Sequence, residues 1–226
     1  MARRFVILAA IVLCALPGFA LIGSLNFRLD AGLFGLFGGK TQPPPGWILH
    51  KQHVELADVH FKSADKACEN WSWVAGIVDM AETRGAHIDQ QYLIDRLYGG
   101  SRCLPSAGDL ADMAQRISHD YVLDDGQKFR IEAQFTPGAP TQADPLILSI
   151  RQLRPVMLVW RSRCYLLTTM DYDEYIAPTG SKMFIVTALG LFDPVAPEGK
   201  RDVTFSRDVD NPNDLNGVVD LSIHTK

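Results

Sequence analysis

The 226-residue chain lacks the net positive charge of a nucleic-acid protein: 22 Lys and Arg stand against 26 Asp and Glu, a formal charge of −4. A basic field is the electrostatic footprint of phosphate binding, so no nucleic-acid partner is expected. No internal repeat is apparent. Long hydrophobic runs are absent after the first 25 residues, and cysteine is scarce, with only four. Hydrophobic residues make up 47% and charged residues 21%, an ordinary globular balance that excludes a disordered chain. The length suffices for one domain with a sizeable core.

The long apolar run is at the start. Arg3 and Arg4 precede an apolar stretch from Phe5 to Leu25, the pattern of a secretory signal or a signal anchor. Two readings stand. Pro17 ends a short apolar core, and Gly18-Phe19-Ala20 offers small residues for cleavage. Alternatively, residues 5–25 are just long enough to span a bilayer core of roughly 30 Å. A lipoprotein signal is not expected, because Ile11-Val12-Leu13 before Cys14 lacks the small residues of a lipobox. Either reading places residues 40–226 outside the cytoplasm, at the inner membrane facing the periplasm, or released if the leader is cleaved. Residues 1–27 are thus signal peptide or anchor. Residues 28–46 are a tether, Gly-rich over Leu33–Gly39 and stiffened by Pro43-Pro44-Pro45. Residues 47–226 are the globular domain.

Within that domain Val74, Ile77, Val78 and Ala81 share a helical face, and Gly85 is placed to end that helix. Asp89 reads as the N-cap of a second helix running to Tyr98, before Gly99-Gly100. A third covers roughly 109–117. Lys128 to Ala133 alternates as a half-buried strand does, and 145–153 reads as a helix ended by Pro155. Strands follow at 156–160, 165–170, 184–189 and 203–205. The tail 208–216, rich in Asp, Asn and Pro, reads as loop. Helices first and an antiparallel sheet later is an α+β order.

The segment Asn70-Trp71-Ser72-Trp73-Val74-Ala75-Gly76 resembles the nucleophile segment of bacterial papain-like cysteine peptidases of the bacteriocin-processing type, where an Asn-Trp-Cys-Trp-Ala-Ala stretch opens the central helix. In that family the helix N-terminus favours the thiolate. Laid over it without gaps, the nucleophile position is Ser72. Leu97-Tyr98-Gly99-Gly100 resembles the end of the family's second helix. Arg154 to Val159 resembles the strand leading to the catalytic histidine, whose position falls on Arg163, or on Cys164 if the register slips by one. Leu191-Phe192-Asp193-Pro194 resembles the segment whose Asn or Asp orients that histidine, here Asp193. The resemblance covers roughly 47–206. It implies a papain-like fold, a helical subdomain packed on an antiparallel sheet, with a groove between them to which Trp71, Trp73 and Cys164 contribute.

It also implies a degenerate site. A serine hydroxyl is a poor nucleophile without an adjacent base. Arg163 is no base, because a guanidinium stays protonated. Where the family carries an oxyanion-stabilising Gln, the neighbourhood here holds Lys66. No catalytic residue is therefore expected, and Asp193 is expected to pair with Arg163. Two readings of Cys68 remain: a nucleophile in a shifted register, or the partner of Cys103 in a disulfide. Papain-like enzymes often carry a bridge in this region, and an exported chain permits it. Cys164 reads as a buried free thiol.

His50, His53 and His60 are spaced by three and seven, but Val54, Val59 and Phe61 around them read as extended chain. No Cys or acidic cluster accompanies them at ligand spacing, so no metal and no cofactor are expected. His87 and His119 read as turn or helix-end residues. Asp171-Tyr172-Asp173-Glu174-Tyr175 reads as a solvated loop, since it lacks the fixed Gly and terminal Glu of a calcium loop. The functional expectation is an exported pseudopeptidase that holds a peptide or an envelope protein without cleaving it. The alternative is an active cysteine peptidase using Cys68 or an unrecognised constellation.

Overall fold

In the computed structural model the described residues are 43–57, 59, 61, 71–100, 110–123, 125–197, 200–207 and 210–226. The apolar run 5–25, Cys14, the tether up to residue 42, His60, Lys66, Cys68 and Cys103 lie outside them, and with them the disulfide and both readings of Cys68. No helix among the described residues is long and apolar enough to cross a membrane.

The elements are β1 (Ile48–Glu55), α1 (Ser72–Glu82), α2 (Gln90–Tyr98), α3 (Leu110–Ile117), β2 (Asp120–Val122), β3 (Lys128–Pro137), α4 (Asp144–Arg151), β4 (Val156–Trp160), β5 (Arg163–Ile176), β6 (Lys182–Phe192), β7 (Asp202–Ser206) and β8 (Leu215–Thr225). The fold is α+β. All eight strands belong to one sheet in the order β2-β3-β8-β4-β5-β6-β7. Each neighbouring pair is antiparallel. β5 shares one edge between two partners: β4 along Arg163–Leu166 and β1 along Thr169–Ile176.

Every residue of β4 is buried, because both faces of this central strand are covered. Met157 and Val159 point into a core built with α1, α2 and α3. Val156, Leu158 and Trp160 point the other way, into a core with Leu146, Ile147 and Ile150 of α4. The period-two alternation of a strand thus places α1 and α4 on opposite faces of the sheet. Gly76 lets α1 settle onto the strands: a Cβ there would stand 3.1 Å from Met157 Sδ and 3.4 Å from a Leu166 methyl. The helix ends follow the sequence signals. Asp89 accepts the Tyr92 N–H at 3.1 Å as the N-cap of α2, and Gly99 closes that helix at φ 72°. Gly85 sits just past α1 at φ 75°.

Two expectations change. Asp171–Tyr175 is not a loop but the far half of β5. Two of its charges are met across the sheet: His53 meets Asp171 at 2.6 Å, and Lys182 and Gln52 donate to Glu174 at 2.6 and 3.2 Å. Met170 and Tyr172, on either side of Asp171, are buried, as a half-covered strand requires. β8 was not expected, because its start lies in the Asp- and Asn-rich tail; ahead of it Pro212–Asp214 forms a short 3-10 turn. The segment carrying His50 and His53, read as extended chain, forms β1 and extends the sheet.

Candidate functional site

Ser72 is the first residue of α1, and its side chain is buried against the start of β5. The Cys164 backbone N–H donates to Ser72 Oγ at 3.2 Å. One residue earlier, the Arg163 guanidinium reaches Asp193, with Nη2 2.6 Å from Oδ2. The Ser72 hydroxyl and the Arg163–Asp193 pair thus meet β5 at neighbouring residues but on opposite faces of the sheet: Cys164 packs in the α1 core, while Arg163 is the cross-strand partner of Trp160, which packs in the α4 core.

Asp193 is rigidly placed. Its N–H donates to the Arg201 carbonyl at 2.8 Å, and its Oδ1 accepts the Val195 N–H at 3.1 Å. The carboxylate is buried (6% exposed) while the Arg163 side chain is 45% exposed. A buried carboxylate demands such partners, since an ionised group without them is costly to desolvate. The outer face of the guanidinium stays open to solvent, with N–H donors that Asp193 does not use.

Arg163 is aimed by the two-residue hairpin before it. Arg161 and Ser162 both have positive φ, 48° and 64°, the backbone of a tight type I′ connection. Non-glycine residues there are strained, and the start of β8 holds them in place. Arg161 donates from Nε and Nη2 to Asp214 Oδ2 at 2.9 and 2.6 Å, and the Ser162 N–H donates to Asn216 Oδ1 at 2.8 Å. Sequence reasoning missed this bracket. The signal for the hairpin was present in two apolar runs split by two polar residues, but its anchors lie at the unrecognised β8.

No protein-family model, no curated protein and no solved structure matches the chain. The chemistry of the site therefore rests on its own geometry. Trp71, Trp73 and Cys164 are not an open wall of a groove: they are 3%, 1% and 2% exposed and belong to the core beneath α1. Trp73 packs edge-on against Tyr98 of α2, with ring centroids 6.1 Å apart. The indole nitrogens of Trp71 and Trp73 are buried without hydrogen-bond partners. Cys164 is a free buried thiol. Burial pushes its pKa up to about 12, against the opposing hydrogen bond from Ser72. Such a thiol is protonated at neutral pH and inert as a nucleophile. Arg163, at the position aligned with the histidine, carries a guanidinium and is no base. His87, at the turn after α1, pairs with Glu82 at 3.2 Å. No group of three His, Cys, Asp or Glu side chains that could hold a metal ion exists among the described residues.

Proposed function

We propose that this chain is an exported or membrane-anchored papain-like pseudopeptidase that holds a peptide or an envelope protein partner without hydrolysis. The observation that supports the reading is the hydrogen bond from the Cys164 N–H to the helix-opening Ser72, with the Arg163–Asp193 pair at 2.6 Å one residue along the same strand. In the papain-like arrangement a helix N-terminus presents the nucleophile to a base on a neighbouring strand, and a third residue from the next strand orients that base. Here a hydroxyl opens the helix, a thiol faces it from the strand, and the guanidinium and carboxylate pair on the other face. A hydroxyl without a proton acceptor does not attack an acyl carbon at a useful rate. The guanidinium is suited instead to a carboxylate or a peptide carbonyl, which its remaining donors can hold by hydrogen bonds. Arg3 and Arg4 ahead of the apolar run 5–25 support export, and an oxidising compartment would let Cys68 and Cys103 pair.

The test is restoration. The 226-residue chain is incubated with fluorogenic peptides and an electrophilic peptide probe for catalytic thiols. The expected result is neither turnover nor labelling. The variant carrying Ser72→Cys with Cys164→His, which returns a thiol and an imidazole on the strand face that meets it, is expected to be labelled at residue 72. Turnover by the unaltered chain, with labelling at Cys68, overturns the proposal.

A further inference from the structure

On the sheet face opposite Ser72 the structure contains a half-open cavity of about 300 Å³ between α4 and the strands β3, β8 and β4. Its lining is mixed: Leu146 and Pro145 of α4, Val156 of β4 and Val218 of β8 form an apolar strip, and Gln134, Thr136, Gln142 and Ser149 line the rest. Asp220 lines it from the centre of the sheet, where β8 runs between Gln134 of β3 and Val156 of β4. The Oδ1 atom of Asp220 is buried and has no hydrogen-bond partner. An acceptor left in this state costs about 1–3 kcal/mol, and more when charged, so an orphan in a native interior calls for an explanation. Its cross-strand neighbours on this face are Gln134 and Val156, and neither donates to that oxygen.

We infer that this cavity is a binding site for a primary aliphatic ammonium, whose N–H groups satisfy Asp220 while its methylene body lies along Leu146, Val156 and Val218. The chemistry selects the class. A carboxylate with an unpaired oxygen beside an apolar strip is complementary to a compact cation on a short alkyl stem, and the volume, at the small end of ligand pockets, admits a side-chain-sized molecule. The same ligand chemistry is carried by a free alkylamine and by a lysine side chain. Arg163 pairs with Trp160 at the far end of β4 from Val156, and neither it nor Asp193 lines the cavity, so each site can be lost without the other.

The test is a titration of the 226-residue chain in detergent, at neutral pH and low salt, followed by calorimetry or NMR shifts. The probes are n-butylammonium, its neutral counterpart 1-butanol, and Nα-acetyl-lysine amide. Butylammonium is expected to bind with a dissociation constant on the order of 1 mM, the range for a ligand of so few atoms. Butanol is expected to bind at least tenfold more weakly, and Asp220→Asn to weaken the amine about tenfold. Gln134→Trp, at an exposed strand position across from Asp220, is expected to block the cavity while preserving the fold. That variant carries the test should Asp220→Asn not fold. Binding of the lysine amide as well as the free amine marks a protein side chain as the natural occupant; binding of the free amine alone marks a small molecule. Equal binding of butanol and butylammonium, or binding unaffected by both substitutions, overturns the inference.

Discussion

Ser72 and Cys164 are joined by a hydrogen bond of 3.2 Å, from the strand backbone of Cys164 to the hydroxyl in the first turn of α1, across 92 positions of sequence. The bond pins the N-terminus of the helix to the sheet, and it occupies the one oxygen that attack on a substrate would require. Ser72→Ala removes the acceptor and leaves the buried N–H unpaired. The expected cost is about 1–2 kcal/mol of stability, seen as a melting temperature lower by roughly 2–8 °C. An unchanged denaturant midpoint would show that the contact contributes nothing.

Arg163 and Asp193 are not equivalent partners. Arg163→Ala strands a buried carboxylate with only the Val195 N–H to hold it, whereas Asp193→Ala leaves a guanidinium that water can reach. The loss from Arg163→Ala is therefore expected to come from desolvated charge, on the order of 2–3 kcal/mol. Asp193→Asn, which keeps an acceptor for Val195, is expected to cost less than Asp193→Ala. Urea unfolding at neutral pH orders the three variants, and an Arg163→Ala loss under about 1 kcal/mol would contradict the account.

The alkaline limb of stability follows from Cys164. Its thiol titrates at about 12 in the folded chain against 9.0 unperturbed, because burial disfavours the thiolate. Below pH 9 both states hold the proton. Between 9 and 12 the unfolded chain releases it and the folded chain does not, so stability falls through that window, by up to ~4 kcal/mol. Tyr121 is shifted upward by burial as well and adds to the fall at higher pH. Cys164→Ala is expected to flatten the decline between pH 9 and 11 relative to its own stability at pH 7. Parallel declines in variant and parent would assign the effect elsewhere.

Much of this architecture was legible from local chemistry. The ends of α1 and α2 were readable because Gly85, Asp89 and Gly99 leave few alternatives to the backbone. β4 was readable as an unbroken apolar run. The sheet was under-read where polar residues are satisfied by partners distant in sequence. Glu174 looks like loop until Lys182 and Gln52 are placed beside it, and β8 looks like tail until Val219 and Leu221 find the helical core. For the site, a resemblance of short segments pointed to Ser72, Arg163 and Asp193 but not to the burial of Trp71 and Trp73, which depends on how deeply α1 sinks at Gly76. Asp220 carried no local signal, since a lone acid in a strand is ordinary until its oxygen is seen to lack a partner.

The shared edge of β5 has a mechanical consequence. Trp47 leads directly into β1, whose first residue, Ile48, pairs with Ile176 at the far end of β5, while Arg163 occupies the opposite end. At about 3.3 Å per residue, a strand of this length sets those two points roughly 40 Å apart. Tension entering through the N-terminal side is borne by the β1–β5 ladder before it reaches the helices. The guanidinium is thereby carried at the tip of a stiff lever, at a standoff fixed by the number of residues in one strand.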